Sequence, residues 1–162
     1  KHAIHQHGLE RVAVVDFDVH HGNGTEDILA NDAHVLMVSF FQHPFYPYSG
    51  TEKHASNMVN IPVPAYARGK EVRDLVENYW VPRLEEFKPE MIFISAGFDA
   101  HREDDMGQMA LTEQDYAWIT QRICDIAKRH AKGRIVSCLE GGYALSALGR
   151  SVEAHLRVLA DL

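Results

Sequence analysis

A chain of 162 residues, 46% hydrophobic and 24% charged, is long enough for one globular domain with a real core. Its net charge of −7 argues against a nucleic-acid partner, which would need an excess of Lys and Arg. No apolar run approaches the roughly 20 residues that span a bilayer and no secretory leader is read at the start, so no membrane partner is expected.

In chain order, residues 1–7 read as the end of a helix closed by Gly8. The chain begins with Lys1 rather than Met, and a domain seldom starts inside a helix tail, so an N-terminal portion is expected to be missing. Residues 11–16 (RVAVVD) form a short apolar run typical of a buried parallel strand, and 34–40 (HVLMVSF) form a second. Val72, Leu75, Val76, Tyr79 and Trp80 follow helical spacing, with Pro82 expected to kink or split that helix. Residues 91–96 (MIFISA) are a third strand. Tyr116, Ile119, Ile123, Ile126 and Ala127 mark a helix opened by a Thr112/Asp115 capping box and closed by Gly133. Residues 134–139 (RIVSCL) are a fourth strand, and Leu148, Val152, Leu156 and Leu159 mark a last helix. Alternating strands and helices predict an α/β fold whose parallel sheet is covered on both faces, with ligands beyond the carboxyl ends of the strands. Cys124 and Cys138 are in no C-x-x-C spacing and read as reduced thiols in a cytoplasmic setting.

The strand ends carry the chemistry. Asp16-Phe17-Asp18-Val19-His20-His21-Gly22-Asn23-Gly24-Thr25 follows the first strand, Gly97-Phe98-Asp99-Ala100-His101 the third, and Glu140-Gly141-Gly142-Tyr143 the fourth. In extended chain, Asp16, Asp18 and His20 share one side and Phe17 and Val19 the other. Asp18 and His20 can reach one ion together, and Asp99 can supply a third ligand from a neighbouring strand end. Two carboxylates and an imidazole suit zinc with a position left open; Fe(II) or Co(II) suit the same donors. A strand-end Asp is often only a helix cap, and a lone His is often structural, but the D-x-D-x-H spacing together with a second strand-end Asp favours a metal. The glycine-rich stretch lacks the Lys of a phosphate loop and reads as a tight turn re-entering a helix near Glu26. Gly141 and Gly142 allow close backbone approach to a ligand, and a Tyr143 hydroxyl beside a metal can stabilise an oxyanion.

These segments resemble the zinc-dependent histone deacetylases and acetylpolyamine amidohydrolases, and the resemblance covers essentially the whole chain. Residues 16–25 match the family's D-x-D-x-H-H-G-[ND]-G motif, Ser95 to Ala100 its second metal segment, and Glu140 to Tyr143 the segment bearing the catalytic tyrosine. The wording Gly97-Phe98-Asp99-Ala100 is closer to the class II branch. The resemblance implies a three-layer parallel sheet of the arginase/deacetylase type lacking its N-terminal portion, with residues 1–162 as the C-terminal part of a single deacetylase domain. It implies Asp18, His20 and Asp99 as zinc ligands and Tyr143 and Asp16 as catalytic residues, Asp16 holding a catalytic histidine. It implies a structural potassium ion at Asp16, Asp18, His20, Ser39 and Phe40. It also implies substrate contacts at Tyr46, Gly141 and Gly142. Tyr48 stands where the family usually has Gly, and Asp105 where Pro is common. The family's G-H-H pair, which includes its general base, lies upstream of Lys1.

The expected reaction is zinc-dependent hydrolysis of N-acetyl or other N-acyl amides, with an acetylated protein lysine, polyamine or small amide as the partner. A homo-oligomer is open, because a bare sheet edge invites association. Two rival readings remain. A manganese ureohydrolase on the same fold would want an Asp two residues past Asp99, where this chain has His101. A non-catalytic module that binds acyl-lysine is allowed by the absent base.

Overall fold

Apolar runs too short for helices become strands here, packed on one face against a continuous core. The computed structural model describes residues 1–52 and 55–162. Strands β1 (Val12–Asp16), β2 (Val35–Gln42), β3 (Met58–Val63), β4 (Met91–Ala96) and β5 (Ile135–Leu139) form a five-stranded sheet of order β3-β2-β1-β4-β5. Every pairing is parallel, and the register sets Asp16 opposite both Ser39 and Ser95. The helices are α1 (His2–His7), α2 (Asn23–Leu29), α3 (Gly69–Leu75), α4 (Val81–Phe87), α5 (Glu113–His130) and α6 (Leu145–Leu159).

Period-2 alternation divides each strand between the two faces. Ala13, Val15 and Phe17 from β1 and its end, Leu36, Val38 and Phe40 from β2, and Ile92 and Ile94 from β4 share one core with residues of α3, α4 and α5. α2 lies on the other face, where its buried Glu26 accepts from Asn60 Nδ2 (2.6 Å), and Asn60 in turn accepts from Ser39 Oγ (3.2 Å). That second face is barer toward β5, where Val136 and Cys138 are exposed.

Three local expectations need correction or refinement. β3 escaped the sequence reading because Asn60 and Pro62 interrupt its apolar pattern. Pro62 is tolerated because β3 is an edge strand, where a missing N–H disturbs no second partner. Pro82 does not break its helix. A π-helical turn at Val76–Trp80 joins α3 to α4, and the wider turn accommodates the residue that cannot donate. Trp80 stacks on Phe40 at 5.5 Å, whereas Tyr79, expected on the buried face, is exposed. On α6 the buried residues are Ala147, Ser151 and His155 rather than the leucine stripe; Leu148 and Val152 pack beside the core, but Leu156 is exposed.

The Thr112/Asp115 capping box is present: Asp115 Oδ2 accepts from both the Thr112 N–H and its hydroxyl at 2.9 Å. Asn57 fastens the turn before β2, its Nδ2 lying 3.0–3.1 Å from the carbonyl oxygens of Leu29, Asp32 and Val35. No helix of the described residues is long and apolar enough to cross a membrane.

Candidate metal and active site

The carboxyl ends of the adjacent strands β1, β4 and β5 bring three segments together. Asp18 and His20 follow β1, and Asp99 follows β4. One ligand atom from each lies within 4.8 Å of the others. His20 Nδ1 is 3.0 Å from Asp18 Oδ1 and 3.2 Å from Asp99 Oδ2. Backbone bonds freeze the carboxylates: Asp18 Oδ1 accepts from His20 N–H (2.8 Å), and Asp99 Oδ1 from Val19 N–H (2.9 Å). Asp99 Oδ2 is buried with no well-aligned hydrogen bond, its near polar neighbour being the His20 ring.

One glycine of the second segment and one of the third are required by close approach. A Cβ on Gly141 would stand 2.0 Å from Asp99 Oδ2, and one on Gly97 2.2 Å from Asp18 Oδ2. Gly141 N–H also donates to Asp18 Oδ2 at 2.8 Å.

Charge is concentrated here. Burial pushes the Asp18 carboxyl up, but bonds from the His20 ring, His20 N–H and Gly141 N–H outweigh it and hold the group below its ordinary value. Burial raises Asp99, with partial relief from His20. The Asp18 and Asp99 carboxylates beside the His20 ring raise its pKa to about 10, so this place favours a positive charge. Asp16, almost wholly buried, is raised well above its ordinary value by that burial, although its Oδ1 accepts from Asp18 N–H at 3.0 Å.

Asp16, Asp18 and His20 line a cleft of about 550 Å³ that also receives Ser95, Tyr46 and Tyr143, with Asp99 buried behind it. Tyr143 is 56% exposed and reaches the cleft from the β5–α6 loop. Burial and the carboxylates of Asp99, Asp18 and Asp104 push its phenol above the ordinary value, so the hydroxyl keeps its proton and can donate. Phe45 stacks on His20 at 5.6 Å, and Tyr46 meets it edge-on at 6.1 Å. Tyr48 adopts φ 63°, a left-handed conformation that Gly would take more readily. Gly142 holds φ 140° at the turn into α6. Ser39 is buried opposite Asp16, whereas the Phe40 side chain turns into the core against Trp80.

His21 and His101 are both engaged elsewhere. His21 Nε2 meets Glu26 Oε2 at 2.5 Å, and its Nδ1 meets Ser49 Oγ at 2.8 Å. His101 Nδ1 accepts from Glu103 N–H at 3.1 Å, which leaves the proton on Nε2, 3.6 Å from Glu113. His101, Glu103 and Glu113 cluster at metal-ligand distance, but one ring nitrogen of His101 carries that proton, the other accepts from Glu103 N–H, and the Arg150 guanidinium bonds both carboxylates. Sequence reasoning missed the bracing residues Glu26, Ser49 and Asn60, and also Asp104. Asp104 is buried and accepts from Tyr143 N–H (2.6 Å) and Ala144 N–H (3.0 Å). All four are polar residues with no local pattern: Glu26 in α2, Asn60 in β3, and Ser49 and Asp104 in loops.

The chain matches a family described as "Histone deacetylase domain" over residues 1–159. It is 39% identical to "Type-2 histone deacetylase 2" of Dictyostelium discoideum over 99% of its own length and 10% of that protein. It is 40% identical to a "Probable deacetylase" of Archaeoglobus fulgidus over 85% of its length and 40% of that protein. The structure of the histone deacetylase Clr3 superposes with a TM-score of 0.89 at 31% identity, covering 99% of this chain and 29% of that one. The chain thus spans well under half the length of these relatives. Its parallel α/β sheet with flanking helices is of the arginase/deacetylase type.

Proposed function

This chain belongs to the histone deacetylase family, and on that premise we propose that residues 1–162 are the C-terminal part of a single deacetylase domain. That domain hydrolyses N-acyl amides such as acetyl-lysine or acetylpolyamines, with zinc held by Asp18, His20 and Asp99. The observation that carries this reading is the convergence of those three ligand atoms, two of them from residues that line the cleft that also receives Tyr143.

The residues fit the ion. The donor set is two carboxylates and an imidazole, Asp99 Oδ2 is buried with no well-aligned hydrogen bond, and the glycine backbone leaves the carboxylates unobstructed. A bound zinc supplies Lewis acidity toward the acyl carbonyl and toward water.

This chain's own residues do the rest. The protonated Tyr143 hydroxyl donates to the oxyanion developing on the acyl carbonyl. Asp16 orients an imidazole that takes the proton from water and returns it to the leaving amine. His21 and His101 are tied up by other partners, so neither supplies that imidazole in this reading. Phe45 and Tyr46 wall the approach, and the Gly141–Gly142 backbone lets the acyl group come close. The buried Asp16 carboxyl, with Asp18, His20, Ser39 and Phe40, suits a structural potassium ion. The free thiols Cys124 and Cys138 suit the reducing cytoplasm, and the bare β5 side of the sheet suits association.

The test uses the complete protein, assayed on an acetyl-lysine peptide and an acetylpolyamine before and after chelation and zinc restoration. Turnover should vanish with the metal and return with it. Chelator-resistant turnover, or none on any acylamide, rejects the reading. The second outcome would favour a module that binds acyl-lysine without hydrolysing it, a reading supported by the engagement of both His21 and His101.

A further inference from the structure

Tyr143 gains little fixation from its own side chain, which is more than half exposed. Its hydroxyl can only be placed by the backbone that carries it. That backbone hangs between two carboxylates. On one side Gly141 N–H donates to Asp18 Oδ2, and Gly141 O accepts from Phe98 N–H at 2.8 Å. On the other, Tyr143 N–H and Ala144 N–H both donate to Asp104 Oδ2.

Asp104 is 5% exposed and is itself immobilised. Its Oδ1 accepts from Met106 N–H at 2.9 Å, and its own N–H donates to His101 O at 2.9 Å. α6 begins at Leu145, and its N-cap residue Ala144 has no side chain able to accept from the first turn. Asp104, distant in sequence, instead holds the two N–H groups that lead into the helix. Arg150, farther along α6, ties the same loop down a second time through Glu103, at 2.8 Å, and Glu113. The loop that follows Asp99 therefore fixes the start of α6, and with it the residue whose hydroxyl faces the cleft.

We infer that Asp104 is a positioning residue for Tyr143, acting through the Tyr143 and Ala144 backbone N–H groups. The inference rests on the reading of Tyr143 as the oxyanion donor. A buried carboxylate accepting several backbone N–H groups makes strong, charge-assisted bonds, and an oxyanion donor displaced by even about 1 Å loses much of its effect.

The experiment compares the complete zinc-loaded protein with its Asp104→Ala, Asp104→Asn, Tyr143→Phe and Asp104→Ala/Tyr143→Phe variants. Asp104→Ala should lower kcat by about 10- to 100-fold with KM changed little and the zinc content kept. Asp104→Asn, whose amide oxygen can still accept from the helix start, should recover part of the loss. The double variant should be no slower than Tyr143→Phe alone, because the anchor has nothing left to place. Losses that multiply in the double variant, or an Asp104→Ala kcat within about twofold of wild type, overturn the inference. Amide hydrogen exchange over residues 140–148 is read on the same samples and needs no activity. It should quicken in Asp104→Ala while residues 91–96 stay protected. Unchanged exchange overturns the anchor even if the protein proves inactive, and an inactive wild type with quickened exchange overturns the proposed reaction instead.

Discussion

Gly141 N–H donates to Asp18 Oδ2 at 2.8 Å across 123 positions of sequence. One carboxylate therefore serves two purposes: one oxygen meets the His20 ring, and the other holds the loop that leads to Tyr143. Damage at Asp18 should be felt by both.

Asp18→Ala in the complete protein should abolish stoichiometric metal binding, where the wild type carries a single transition metal per chain. Loss of a ligand should weaken zinc by more than the roughly 10–100-fold typical of losing a ligand's supporting bond. Elemental analysis after zinc loading is the measurement. Two metals per wild-type chain, or an undiminished content in the variant, would contradict the ligand set.

Tyr143→Phe should keep the metal and lose on the order of a hundredfold or more in kcat, the usual cost of one oxyanion donor. Steady-state kinetics beside the metal assay separate the two effects. A near wild-type kcat would remove Tyr143 from the reaction.

His155 gives a pH dependence unrelated to catalysis. It is buried against the rings of Phe17 and Phe98, at 5.9 and 5.7 Å, and that burial lowers its pKa from 6.5 to about 4. Thr120 Oγ1 donates to Tyr116 O, so it accepts from His155 Nδ1–H at 2.7 Å, and Nε2 accepts from Ser137 Oγ–H at 2.9 Å. The neutral ring is the one that fits. The unfolded chain takes up the proton first as pH falls, so this contribution is complete above about 6.5 and is lost through the window from 6.5 down to 4. Linkage gives a loss of about 2 kcal/mol by pH 5. Denaturant midpoints of wild type and His155→Gln at pH 7.5 and pH 5 test this. Equal acid sensitivity in both would mean that His155 is not the titrating group.

Residues 1–162 expressed alone should show little or no deacylase activity even with zinc. Loss of the general base forfeits roughly 10²–10⁴ in rate. The exposed Val136, Cys138 and Leu139 of β5 also leave that edge of the sheet prone to association. An assay on acetyl-lysine substrate against a chain extended upstream decides it. Equal activity would place the base inside this chain, with His21 and His101 to be examined first.

The sequence by itself determined what depends on neighbours along the chain. Asp18 and His20 share a side because extended backbone alternates, and they remain together in the structure. The α5 stripe of Tyr116, Ile119, Ile123, Ile126 and Ala127 and its Thr112/Asp115 box are local patterns, and each is found as expected. The strand order, and with it the meeting of Asp99 and Gly141 with Asp18, was decided only by tertiary structure, because parallel pairing joins segments that share no local signal. The buried face of α6 was likewise hidden. Composition favours its leucines, but Ala147, Ser151 and His155 are buried because small side chains and a polar ring satisfied by Thr120 and Ser137 fit against α5 and β5. Asp104 is invisible in sequence for the same physical reason: it holds the lead-in to a helix that starts 41 residues later (145 − 104), and a hydrogen bond depends on where its partners lie in space rather than along the chain.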